Sequence, residues 1–227
     1  LGDALFATSP FKERAGDFNL HALMVATPES GVSRPSTGQH RASALGTRYD
    51  IFGSERYVLT LDNRALRDIA QHAPYEFIEI LVNGETYGGG GIHGQFSTAA
   101  AGSEWAPYLM GHEFGHHFAA LADEYYTSPV SYAAASGRRE PWETNVTAQT
   151  DRATLKWGAL VKADTPLPTP WPKAEFEAFQ REIQAERKTL REAQRPEAEM
   201  NALFRREQAH VEGLFSAAPH RDRVGAF

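Results

Sequence analysis

The chain has 227 residues, a net charge of -6, 41% hydrophobic and 11% aromatic residues, and no cysteine. That length and apolar content suit one large domain with a real core and exclude a disordered chain. The acidic balance gives no basis for a nucleic-acid or acidic-membrane partner, no apolar run reaches membrane length, and disulfides and thiolate ligands are excluded within the sequence.

In chain order, Leu1, Ala4, Leu5 and Phe11 mark a helix end that Ser9-Pro10 stops. Residues 18–25 alternate and then run apolar, which predicts a strand. Residues 27–46 are rich in Ser, Gly, Pro, Thr and Arg and read as a long loop, with Arg34, His40 and Arg41 solvated. A second strand is expected over residues 56–61. Asp62 caps a helix over residues 63–72, and Pro74 ends it. Residues 77–83 form the clearest strand, buried by their Ile, Leu and Val content.

Tyr87-Gly88-Gly89-Gly90-Gly91-Ile92 follows. No lysine or helix start stands at the spacing of a P-loop, so the glycines point to close approach of another backbone. Ser103 is the expected cap of the next helix, with Pro107 in its first turns.

That helix carries His112-Glu113-Phe114-Gly115-His116. Four residues turn through about 400°, so both imidazoles leave one face about 6 Å apart along the axis. This is the spacing at which two ring nitrogens meet one zinc ion. Glu113 lies about 100° round from His112, placed to hold a water rather than the metal. The flanking residues 105–110 and 118–122 are apolar, so the helix is buried and its polar groups need partners. His117 is about 100° off the face of His116 and reads as a packing or surface histidine.

A third ligand is less direct. On a straight helix Asp123 would sit about 10 Å beyond His116 along the axis. It can ligate only if the helix breaks near residues 119–122, where no glycine stands. Asp123 is the first choice, Glu124 the second, and a residue outside the sequence the third.

Beyond Tyr126 an irregular region runs to about Val161. In it Asn145-Val146-Thr147 matches a glycosylation sequon, against which a plain turn is favoured. Residues 164–172 hold four prolines and form a stiff connector. Phe176, Phe179, Ile183 and Leu190, then Met200, Leu203, Phe204, Val211, Leu214 and Phe215 after Pro196, predict an antiparallel helical hairpin over residues 173–216.

Ile80-Leu81-Val82-Asn83, the Tyr87 to Gly91 run, the His112 to His116 motif, Asp123-Glu124-Tyr125, Asn145-Val146-Thr147 and Lys156-Trp157 occur in that order. Over most of residues 50–160 the chain resembles the IgA-peptidase-type zinc metallopeptidases. The resemblance implies an α/β (α+β) fold, a metzincin-like twisted mixed sheet over a zinc-binding helix. It implies one catalytic domain over residues 1–227, with the hairpin as an insertion. It also implies Zn²⁺ held by His112, His116 and Asp123, Glu113 as general base, a protein or peptide substrate, and a secreted, periplasmic or cell-surface location. An extended substrate is expected to add as a strand along Gly89, Gly90, Gly91 and Ile92, read as an open sheet edge. Relatives have a strand before the position of Leu1 and a methionine-turn segment after Gly225-Ala226-Phe227, so a piece of a longer peptidase is expected. The competing expectations are a non-catalytic binding module that keeps the fold, and an amide hydrolase with a non-peptide substrate.

Overall fold

The computed structural model describes residues 2–124 and 140–226. Tyr125 of the Asp123-Glu124-Tyr125 element and the first part of the expected irregular region lie outside the described residues. The fold is mixed α and β, and the chain divides into two compact units, Leu1–Leu121 and Ala122–Phe227.

The first unit contains α1 (Gly2–Leu5), α2 (Asn63–Ala70), β1 (Glu79–Val82), β2 (Gly89–Ile92), β3 (Phe96–Ala100) and α3 (Ala106–Ala119). The strands form one sheet in the order β1-β3-β2, with β1 parallel and β2 antiparallel to β3. β2 and β3 are joined by a three-residue loop in which Gly94 takes φ 67° and the Gln95 N–H donates to the Ile92 carbonyl, 2.9 Å. α2 begins where expected, with the Asp62 carboxylate accepting from the Ala65 N–H at 2.9 Å.

Each face of the sheet has its own core. Ile80, Val82, Phe96 and Ala100 pack with Val32, Tyr49, Ile51, Val58, Leu59 and Leu66. On the other face Ala99 meets Leu5, Leu109, Met110 and Phe114, with Phe6, Phe11 and Phe18 against them. β1 alternates rather than being buried throughout, since Ile80 and Val82 are buried while Leu81 is 49% exposed.

Gly88 and the glycines of β2 let both faces close in. A Cβ on Gly88 would lie 2.8 Å from Val58 Cγ2, and one on Gly90 would lie 2.6 Å from Leu59 Cδ2. On the opposite face a Cβ on Gly91 would run into the Glu113 carbonyl and come within 2.8 Å of His116 Cβ. The expected close approach is therefore the backbone of α3.

Three sequence expectations are corrected. Residues 18–25 form no strand: Phe18 joins the aromatic cluster with Phe11 and Phe118, while Leu20, Leu23 and Met24 are exposed. Residues 56–61 make only isolated bridges, Tyr57 to Gly89 and Leu59 to Arg48. Ser103 does not cap α3. Its hydroxyl accepts from the Trp105 N–H at 3.2 Å, in the turn before the helix, and Trp105 is the cap residue.

The second unit holds α4 (Lys173–Glu192) and α5 (Glu197–Ser216), the expected hairpin. Phe176, Ile183, Met200, Leu203 and Phe204 are buried. Arg191 grips Glu197 through Nη1 and Nη2 across the connecting turn, at 2.6 and 3.1 Å.

A pair of substitutions separates the two kinds of glycine. Gly91→Ala must push α3 off the sheet and should lose at least about 2 kcal/mol. Gly111→Ala, inside α3 with nothing within 4 Å of the new methyl, should gain about 0.5–1 kcal/mol. Urea unfolding of the two variants beside the parent reads both signs.

Candidate metal centre

α3 starts with Pro107 in its first turn and buries Leu109, Met110 and Phe114. It stops at Ala120, which sits in the left-handed region at φ 56°, ψ 38°. The Ala120 and Leu121 N–H groups both turn back to the Gly115 carbonyl, Leu121 at 3.4 Å, and close the helix end. Leu121 folds over Gly115, where a Cβ would stand 3.2 Å from Leu121 Cδ1. This is the break the sequence required but did not mark with glycine. Alanine adopts the conformation at a cost of about 1–2 kcal/mol.

The break brings the Leu121 carbonyl to the Nδ1 of His116, which donates to it. That hydrogen bond puts the proton on Nδ1 and makes Nε2 the nitrogen that can ligate a cation. His116 Nε2 lies 3.3 Å from His112 Nε2. Two nitrogens each about 2.0–2.1 Å from one ion at a tetrahedral angle are about 3.3–3.4 Å apart, so this spacing fits a shared zinc. One ligand atom from each of His112, Glu113 and His116 lies within 4.8 Å of the others. Glu113 is 8% exposed and rests over Gly89, whose Cβ would be 3.0 Å from Glu113 Cγ. Tyr108, one turn earlier, stacks on the His112 ring at 5.6 Å and 18°.

A family model described as IgA Peptidase M64 matches residues 1–227, the whole sequence. The chain belongs to the IgA peptidase M64 family. A search of curated proteins finds no match. Membership makes this M64 chain a peptidase, a hydrolase of protein or peptide substrates. Among its described residues no helix is long and apolar enough to cross a membrane.

The expected open edge of the M64 chain is closed in part. The Gly89 N–H donates to Arg56 and its carbonyl accepts from Val58, at 3.0 and 2.9 Å. Gly90 turns its backbone to β3, and Leu59 covers its face. The reason is physical: a bare glycine strand admits the 56–59 segment as readily as it admits a substrate.

The third-ligand candidates belong to the second unit of the M64 chain. There Asn145 brackets Asp123. Its Oδ1 accepts from the Ala122 N–H at 2.7 Å, and its Nδ2 donates to the Ala122 carbonyl at 2.9 Å and to Glu124 Oε1 at 2.7 Å. The sequon asparagine thus spends its amide inside the fold. Lys156 secures the same loop by donating to the carbonyls of Pro141, Glu143 and Val146.

Sequence reasoning missed Glu79. It pairs with Ser97, which pairs with Gly91, so these three residues form one row across the sheet on the α3 face. The Ser97 hydroxyl donates to Glu79 Oε2. Burial pushes the Glu79 carboxyl up to about 8, with Ser97 opposing and the negative charge of Glu113 adding to the rise. A lone acid between Ile78 and Ile80 in the clearest strand was the available signal.

The sign of the resulting pH dependence follows. Between the ordinary carboxylate range and about pH 8 the folded chain keeps a proton on Glu79 that the unfolded chain has released. Stability therefore falls as pH rises through this window, by at most about 1.4 kcal/mol per pH unit. Glu79→Gln should remove that slope, read as the difference between parent and variant in urea unfolding at several pH values.

Proposed function

We propose that this peptidase is a zinc-dependent endopeptidase in which His112, His116 and Asp123 hold the ion and Glu113 is the general base. The observation that carries the proposal is the convergence of the two Nε2 atoms at 3.3 Å beside Glu113 in a chain of a peptidase family. A bound zinc supplies Lewis acidity toward the scissile carbonyl and acidifies the attacking water.

The chain's residues do the rest. The Leu121 carbonyl orients His116, and the Tyr108 ring orients His112. Glu113, nearly buried, takes the proton of the attacking water and passes it to the leaving amine. Asp123 is taken as the third ligand on the family resemblance, with Glu124, one residue on, as the alternative. Substrate alignment on the glycine strand is proposed at Gly91, beyond the stretch that the 56–58 segment covers, while the Ile92 carbonyl is taken by the Gln95 N–H and His117 Nδ1. A secreted, periplasmic or cell-surface location belongs to the same proposal.

The test combines metal analysis with peptide hydrolysis. Purified protein should hold about one zinc per chain, and the His112→Ala, His116→Ala double variant should hold none. Glu113→Gln should keep the zinc and lose about 10²–10⁴-fold in hydrolysis. Hydrolysis by Glu113→Gln at the parent rate, or by protein stripped of metal, would overturn the proposal.

A further inference from the structure

His117 follows His116 directly in the sequence but points into the sheet. It is 1% exposed. Its Nδ1 donates to the Ile92 carbonyl at 3.2 Å, and its Nε2 accepts from the Ile78 N–H at 3.1 Å. Both ring nitrogens are thereby used. Ile92 ends β2 and Ile78 stands just before β1, the two strands on either side of β3. One imidazole therefore spans the width of the sheet. The backbone carbonyl of His117 accepts from the Gly94 N–H at 3.3 Å and from His93 Nδ1 at 3.1 Å.

We propose that His117 is a positioning residue of the metal centre: it locks the roll of α3 on the sheet and so fixes where His112 and His116 point. The proposal rests on the metal reading above. Successive helical residues are about 100° apart, so a side chain fixed inward at His117 fixes the bearing of His116 beside it and of His112 one turn earlier.

The requirement is strict. A histidine Nε2 lies about 7–8 Å from the helix axis, so a roll of about 10° moves it by about 1.3 Å. Metal–ligand distances tolerate only about 0.2 Å. The main contact of α3 with β2 cannot hold the roll. It is made on glycine, which sets the helix close but offers no side chain to interlock. The phenylalanines around Phe114 fill space without fixing direction. Two hydrogen bonds at opposite ends of one ring are directional, and they reach two different strands. An apolar residue at 117 would keep the volume and lose this restraint.

The experiment uses the whole chain, stripped of metal and reloaded with zinc or cobalt. His117→Leu keeps the volume and removes both bonds. His117→Asn keeps a donor within reach of Ile92 and loses the acceptor for Ile78. The readouts are the zinc dissociation constant by chelator competition and the visible spectrum of the cobalt form, with urea unfolding to establish that each variant is folded. His117→Leu should bind zinc about 10–100-fold more weakly and shift the cobalt bands, with His117→Asn between it and the parent. A folded His117→Leu with the parent's zinc affinity and cobalt spectrum overturns the proposal. Where His117→Leu does not fold, His117→Asn decides: weakened binding supports the proposal, and unchanged binding overturns it. If the parent binds neither ion, or His112→Ala binds as well as the parent, the metal reading itself fails and takes this proposal with it. Failure of the positioning role alone leaves the parent's binding and the His112→Ala loss intact.

Discussion

The close seat of α3 on Gly91 is the constraint on which the candidate site depends. Helices normally rest on a layer of strand side chains. Here that layer is missing at β2, and the Glu113 carbonyl and His116 Cβ take its place. Glycine in a strand interior costs about 0.5–1 kcal/mol relative to alanine and contributes no side chain to packing. A run from Gly88 to Gly91 is therefore poor material for a strand. It persists in the fold because Val58 and Leu59 close on one face and α3 on the other, so the bare backbone is buried twice.

The helix supplies the separation of the two histidines without further cost, but it does not orient their rings. Directional contacts do that, each from a different place. The Leu121 carbonyl accepts a hydrogen bond from His116 Nδ1, and Tyr108 lies flat on His112. The first of these needs the chain to reverse within two residues of the helix end. Ala120 accepts a left-handed conformation to do so. Its strain of about 1–2 kcal/mol is of the same order as a single hydrogen bond's net worth of about 0.5–1.5 kcal/mol. The bond to His116 and the bonds to Gly115 together hold the reversal in place.

Much of this was legible locally. The histidine spacing, the Asp62 cap, the strand at β1, the α4–α5 hairpin and the close approach on the glycines all follow from patterns within a few residues. What was not legible came from pairing at a distance or from rare conformations. The Tyr57–Gly89 bridge that fills the edge joins segments far apart in sequence, and no local period announces it. The reversal at Ala120 has no composition signature, because alanine seldom takes that conformation. Residues 18–25 had the hydrophobicity of a strand, but Phe18 found aromatic partners instead of a sheet edge. His117 read as a packing or surface histidine, and burial makes it a packing one. Its two hydrogen bonds to different strands could not be read from its position 100° round the helix.

The electrostatics beneath α3 follow from the same row of residues. Glu79, Ser97 and Gly91 share the face that also carries Glu113 and His117. Two ionised carboxylates there would raise each other's affinity for a proton. Burial settles the competition by keeping Glu79 protonated to about pH 8, while the Ser97 hydroxyl supplies one of its hydrogen bonds. Burial also holds the His117 imidazole below its ordinary range, which suits a ring that accepts a backbone N–H. The charge of Glu113 therefore bears on this face through Glu79, whose hold on its proton it strengthens.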